Sequence, residues 1–281
     1  MIKVVFIGGF PYGKVVYDYL RNNRHVSLDL SITYPDNSGP KNSINFPDHP
    51  KLLKDISATN YVSEIENIQP DYIFVSGWSE LLPPRLIQAA HKGTIGFHPS
   101  KLPADKGRSV LAWQIEEGYT STALSMFYYN DLPDSGDIIA QEKITIEFED
   151  TIKDVLDKVA HASNNLMKAY FPLLRMGTAP RIAQENGAGN FRRLRNAKDS
   201  EIDWNRNSIF IYNKIRAITH PYPGATATIN NERFIIWKSE ILDFPIGNEL
   251  PNGSLVAKLF DESLVLKTRN GFIRLTEYEK I

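Results

Sequence analysis

The feature that most constrains this chain is the exchange of two hydrophobic periods along its N-terminal part. Short, continuously apolar runs, "KVVFIGGF", "VSLDLSITY", "DYIFVSGW" and "GTIGFHP", alternate with stretches such as "GKVVYDYLRNN" and "YVSEIENIQ". In the latter, apolar residues recur at helical spacing. Buried strands separated by amphipathic helices and short loops argue for an α/β fold with an open, mainly parallel, Rossmann-like sheet. "PPRLIQAAH", "SVLAWQIEEG" and "TIKDVLDKVAHASNNLMKAYFPLLRMG" read as further helices, and "TALSMFYYN" and "DIIAQEKITI" as the last strands of that sheet. Residues 35–50, rich in Pro, Asn, Ser and Asp, read as a surface loop. Open α/β sheets bind ligands at the carboxyl ends of their strands. "GGF", "SGW" and "FHPS" are all strand ends and are expected to converge on one cleft.

The pattern then changes. Residues 179–203 are polar and rich in Gly, Asn and Arg, as a linker would be. Beyond the helix "SIFIYNKIRAIT" come short alternating strands, "GATATI", "RFIIWKSEIL", "GSLVAKLF", "SLVLKT" and "FIRLTEY". These suggest a small C-terminal β-barrel-like domain. The expected organisation is a catalytic domain over 1–178, a linker over 179–203 and a barrel-like domain over 204–281.

Composition narrows the function classes. With a formal net charge of −1 over 281 residues, no global basic field recruits nucleic acid or an anionic membrane. There is no cysteine, which removes disulfides, thiolate nucleophiles and cysteine-bound metals and is compatible with the cytoplasm. The opening apolar run is too short to span a bilayer and leads straight into helix-like sequence, so it is read as a first strand and not as a signal peptide. No HExxH or clustered ligand pattern points to a metal.

Among six histidines, His98 has the most informative surroundings. It ends an apolar run and precedes Pro99, which keeps it out of the helical region. A turn histidine and a catalytic one are both compatible with that context. Gly96 stands two residues earlier, where a strand would aim a side chain the same way. "GGFPYGK" falls one residue short of a phosphate loop and lacks its Ser/Thr, so a plain strand-to-helix turn is the simpler reading. "LPDSGDII" places Asp134 and Asp137 in a tight turn, where a carboxylate either caps local amides or orients a histidine.

Taken together, "GFHPSKLPADKGRSVLAW…LPDSGDIIAQ" resembles the core of the 10-formyltetrahydrofolate-dependent formyltransferases. The similarity continues through "RRLRNAKDSEIDW" and "IRAITHPYPGATATI" into the linker and C-terminal barrel of that family. The "KGRSxxxW" form is most similar to the sugar-nucleotide N-formyltransferases, including those of pseudaminic-acid-type surface polysaccharide pathways. The resemblance implies 10-formyltetrahydrofolate as co-substrate, no metal, and a nucleotide-linked amino sugar as acceptor. It also suggests a homodimer through the C-terminal part, although the oligomeric state stays open. Methionyl-tRNA formyltransferase is the alternative within the same chemistry, and a non-catalytic ligand-binding relative the alternative outside it.

By the same resemblance, the family's Asn–His–Asp triad falls on Gly96, His98 and Asp134, with His98 as base and Asp134 orienting it. Gly96 is a departure, because the family's asparagine amide points at the oxyanion. Its absence calls for a substitute donor: a water in the vacated space, Ser79, Ser100 or the indole N–H of Trp78. Trp78, Ser79, Glu80, Leu81, Leu82 and Asn130 are the expected folate-lining residues. Lys106 and Arg108, with Lys14 behind them, are the expected diphosphate ligands. Phe10 and Tyr12 are expected against the base or sugar.

Overall fold

A computed structural model describes residues 1–34, 51–52, 59–185, 187–242 and 250–281. The loop expected at residues 35–50 lies outside the described residues. The chain divides into two compact units, neither continuous in sequence. One comprises Met1–Val110, Ser121–Ile144 and Leu156–Arg193. The other comprises Leu111–Thr120, Thr145–Val155 and Leu194–Ile281.

Elements run β1 (Ile2–Gly8), α1 (Pro11–Arg21), β2 (Val26–Thr33), β3 (Lys51–Leu52), α2 (Thr59–Ile68), β4 (Tyr72–Ser76), α3 (Pro84–Ile87), β5 (Gly93–His98), β6 (Lys106–Gly107), α4 (Val110–Glu116), β7 (Ser121–Tyr128), β8 (Ile138–Thr145), α5 (Ile152–Met176) and β9 (Phe191–Arg192). Seven strands form one sheet in the order β3-β2-β1-β4-β5-β7-β8. The pairs β1–β2, β1–β4, β2–β3 and β4–β5 are parallel, and β5–β7 is antiparallel. This is the mainly parallel sheet that the alternation of periods implies. Its central strands are buried along their length, which explains why they read as unbroken apolar runs. Val5, Ile7, Ile73 and Val75 pack with Val62 and Ile65 of α2 and with Leu82 and Leu86.

The strand order reverses between β1 and β4, the switch point at which such sheets open a crevice. Glycines let the two strand ends meet. A Cβ on Gly8 or Gly13 would lie 2.0 or 2.2 Å from the Ser76 carbonyl oxygen. "GGFPYGK" is therefore built for close approach of backbone to backbone, not shaped as a phosphate loop.

The second unit contains α6 (Ser208–Ile218) and an antiparallel sheet of five strands. These are β10 (Ala225–Ile229), β11 (Glu232–Leu242), β12 (Leu255–Lys258), β13 (Leu264–Thr268) and β14 (Gly271–Lys280), in the order β10-β11-β14-β13-β12. The sheet is the C-terminal β element that the alternating patterns imply. Ile211, Ile215 and Ile218 of α6 share its apolar interior with Ile236, Leu266, Ile273 and Leu275.

Candidate active site

His98 is the last residue of β5 and only 6 % exposed. Its Nε2 lies 2.9 Å from the main-chain oxygen of Asp105. A carbonyl can only accept, so Nε2 carries the proton and donates. Nδ1 faces Asp134 Oδ1 at 3.5 Å, so the two residues that the motif pairs are brought together across 36 positions of chain. Both neighbours of the ring are acceptors, and the ring can donate from both nitrogens only as the imidazolium. In the neutral ring the free lone pair, on Nδ1, is directed at the carboxylate.

Asp134 is itself clamped. Its Oδ2 accepts from Gly107 N at 2.8 Å, and its main-chain oxygen accepts from Gln184 Nε2 at 3.0 Å. The following glycine is obligatory, because a Cβ at Gly136 would sit 1.7 Å from the Tyr128 oxygen.

The turn that carries the histidine is held from several directions. Ser100 N bonds back to the His98 oxygen, and Ser100 Oγ donates to the Ala104 oxygen. Buried Ser125 of β7 donates to the Ser100 oxygen at 2.6 Å and accepts from Leu102 N and from Gln141 Nε2. Asp105 is 2 % exposed; its amide donates to Asn190 Oδ1 and its carboxylate meets Arg192 Nε at 2.7 Å. Residues 106–107 pair with 191–192 as a short parallel ladder. Asp105 and Asp134 both adopt positive φ, +48° and +52°. Such left-handed residues cost of order 1–3 kcal/mol each and persist where the surroundings over-determine them. Asp105, Asn190 and Arg192 escape sequence reasoning because Asp105 acts through its main chain, which has no residue signature, and its supports lie 85 and 87 positions away.

Gly96 is not beside open space. A Cβ there would lie 2.3 Å from Cε2 of Tyr129 and within 3 Å of the Phe127 ring. The two rings stack at 5.2 Å and 19°. The expectation that a water fills a vacated asparagine position is therefore corrected: an aromatic ring fills it. Of the other proposed substitutes, Ser100 is spent on the turn, and Ser79 Oγ bonds the Tyr34 hydroxyl at 2.7 Å. Trp78 Nε1 is buried and has no hydrogen-bond partner among the described residues.

The end of β4 gathers an aromatic group that sequence reasoning identified only in part. Tyr34 stacks on Trp78 at 4.2 Å and 6°, and its hydroxyl accepts from Ser79 N at 2.7 Å. Phe10 stacks with Tyr12 and meets Tyr34 edge-on at 6.4 Å. Burial pushes the Tyr34 phenol up, opposed by its bonds to Ser79, and the charges of Glu80 and Arg108 also reach it. Trp78, Ser79, Glu80, Arg108, Phe10 and Tyr12 thus belong to one neighbourhood. Leu82 is a core residue, whereas Leu81 is 76 % exposed. Asn130 is exposed and its Oδ1 accepts from Leu132 N, the local turn bond usual for asparagine. Lys14 pairs with Asp18 along α1 at 2.5 Å. Lys106 is partly buried in β6, while Arg108 is exposed and has no ion-pair partner among the described residues. No group of acidic and histidine residues able to hold a metal occurs among the described residues.

Comparisons with known proteins bear on the chain as a whole. A family model described as formyl transferase matches residues 3–170, and one described as formyl transferase, C-terminal domain, matches 195–280. Similar solved structures include HypX from Aquifex aeolicus in complex with tetrahydrofolic acid. Its TM-score is 0.70 at 16% identity, over 99% of this chain and 44% of that one. This chain therefore spans under half the length of HypX. The N-formyltransferase from Helicobacter canadensis, in complex with folinic acid and dTDP-3-aminofucose, matches with a TM-score of 0.69 at 19% identity over 100% of both chains. Methionyl-tRNA formyltransferase from Clostridium thermocellum matches at 0.66 and 18% identity over 100% of this chain and 99% of that one. At these identities the structural likenesses show the fold.

Proposed function

Since the chain belongs to the formyl transferase family, we propose that it transfers a formyl group from 10-formyltetrahydrofolate to the amine of a nucleotide-linked amino-deoxy sugar. The observation that carries the proposal is the meeting of His98 and Asp134 at the carboxyl end of β5, beside the β1/β4 switch point. Acyl transfer to an amine needs a group that takes the proton the nucleophile sheds. A histidine backed by a carboxylate meets that need, because the carboxylate stabilises the imidazolium that forms. As the imidazolium, His98 donates from Nε2 to the Asp105 oxygen and from Nδ1 to Asp134.

The residues around Trp78 suit a folate. Its unpartnered, buried N–H offers a hydrogen bond to a heterocycle carbonyl, and Tyr34 and Trp78 offer flat apolar faces. Arg108, whose charge reaches Tyr34, and Lys106 are the candidates to neutralise an acceptor's diphosphate. Lys14, committed to Asp18, is the weaker candidate. The sugar-nucleotide acceptor is favoured by the "KGRS" segment and by the solved complex with dTDP-3-aminofucose, matched over the full length of both chains. A tRNA acceptor asks for a basic surface, which a net charge of −1 does not advertise.

The test is turnover with 10-formyltetrahydrofolate against a panel of amino-sugar nucleotides and charged initiator tRNA. Transfer to at least one amino sugar, with little to tRNA, is the expected result. Preferential tRNA formylation would overturn the acceptor assignment. Folate binding without transfer to any acceptor would favour a non-catalytic relative.

A further inference from the structure

We propose that the phenol O–H of Tyr129 is the hydrogen-bond donor to the formyl oxygen during transfer, taking a place that Gly96 leaves without a side chain; the inference rests on the formyl-transfer reading above. Three observations carry it. The Tyr129 ring lies directly over Gly96, with Cε2 2.3 Å from where a Cβ would be, so the ring and any longer residue at 96 are mutually exclusive. The ring is fixed in that place by its stack on Phe127 and by packing against two buried apolar groups, one containing Leu82 and the other Leu102 and Ile138. Its hydroxyl makes no hydrogen bond among the described residues, yet it lies within the electrostatic reach of Asp134, the partner of His98, and of Tyr34, which stacks on Trp78. An uncommitted donor thus stands between the acid–base pair and the aromatic group at the end of β4. Burial, helped by Asp134 and Tyr34, holds the phenol well above its ordinary titration range. It therefore stays protonated, and able to donate, wherever the histidine can work.

The chemistry requires such a donor. The acceptor amine forms a bond to the formyl carbon while the carbonyl π pair moves onto oxygen. Collapse restores the carbonyl, breaks the bond to the folate nitrogen and leaves that nitrogen with the proton shed by the amine. Negative charge on oxygen exists only in between, and a preorganised donor at that point is worth about a hundred- to thousandfold in rate. His98 Nε2 cannot serve, because it donates to the Asp105 carbonyl.

The test compares Tyr129→Phe, Tyr129→Ala, Gly96→Asn and Gly96→Asn/Tyr129→Ala. Hydroxylamine is used as a small acceptor alongside the amino-sugar nucleotides. Tyr129→Phe keeps the ring and the stack and loses only the donor, so kcat should fall about a hundred- to thousandfold with KM for both substrates nearly unchanged. Gly96→Asn alone should fall comparably, because its side chain collides with the ring. The double variant removes the nearer of the two rings that a side chain at 96 would meet, Phe127 lying at 2.8 Å, so any recovery over Tyr129→Ala reads the amide as a replacement donor. Replacing Tyr129 by 3,5-difluorotyrosine should move the alkaline limb of the pH–rate profile to lower pH, which a purely space-filling ring would not do. Near-normal kcat in Tyr129→Phe would overturn the proposal and leave the ring as packing. Transfer to hydroxylamine but to no amino sugar would overturn the acceptor class and leave the Tyr129 comparison readable. A folded wild type inert with every acceptor would overturn both.

Discussion

Two neighbouring strand ends of the same sheet are built on opposite principles. After β5, nearly every polar group of the turn is committed. Ser100, Ser125, Gln141, Asn190 and Arg192 are all spent on fixing residues 98–107. After β2 and β4, Thr33 Oγ1, Ser76 Oγ and Trp78 Nε1 are buried and unpaired among the described residues. Under the proposed function, the first arrangement holds His98 in one orientation before substrate arrives, which is what catalysis rewards. The second keeps hydrogen bonds in reserve. An unsatisfied buried donor costs about 1–3 kcal/mol, a debt that a bound ligand can cancel. On that reading, one strand end is preorganised for chemistry and the other is left incomplete for recognition.

The comparison breaks most sharply at the acid–base pair. His98→Ala and Asp134→Ala are each expected to lower turnover at least a hundredfold while the folded state persists, as measured by steady-state kinetics beside thermal unfolding. Near-normal turnover in His98→Ala would remove the β5 turn from the mechanism. A smaller effect on turnover, and a larger one on stability, is expected for Arg192→Ala. It removes the 2.7 Å guanidinium partner of the Asp105 carboxylate, which is 3 % exposed. Breaking a buried pair costs about 3–5 kcal/mol, and the loosened Asp105 carbonyl should cost turnover about tenfold through a misoriented His98. Urea melts and kcat should move together; a full loss of stability with unchanged kcat would show that the Asp105 carbonyl does not position the histidine.

The gentlest test is Trp78→Phe, which removes a donor that the ligand-free protein leaves unpaired. Stability should hold or rise by up to about 1 kcal/mol, because the desolvation cost disappears. Folate affinity should weaken about three- to tenfold, the worth of one hydrogen bond. Titration calorimetry with tetrahydrofolate, alongside unfolding, reads both signs. A loss of stability, or undiminished affinity, would mean that the strand end after β4 is not the incomplete one.

The parts of this protein legible in its residues are those whose cause is local. The exchange of hydrophobic periods specifies a mainly parallel sheet, because a strand buried on both faces has to be apolar throughout. "FHP" marks a strand end, because proline bars the helical conformation to the residue before it. The pairing of His98 with Asp134 was implied by the resemblance to the formyltransferase motif and by no local cause, and the structure brings the two side chains to 3.5 Å. Other relations were decided only in three dimensions. Nothing local says that Tyr129 lies over Gly96, since that depends on β7 lying antiparallel to β5 and on the path of the chain beyond it. Nor can residue identity reveal that the oxygen orienting His98 belongs to the main chain of Asp105, or that Asn190 and Arg192 hold it there. Side-chain chemistry is written in the sequence, but a carbonyl is common to every residue and a filled space belongs to no single one, so their roles exist only once distant segments have packed together.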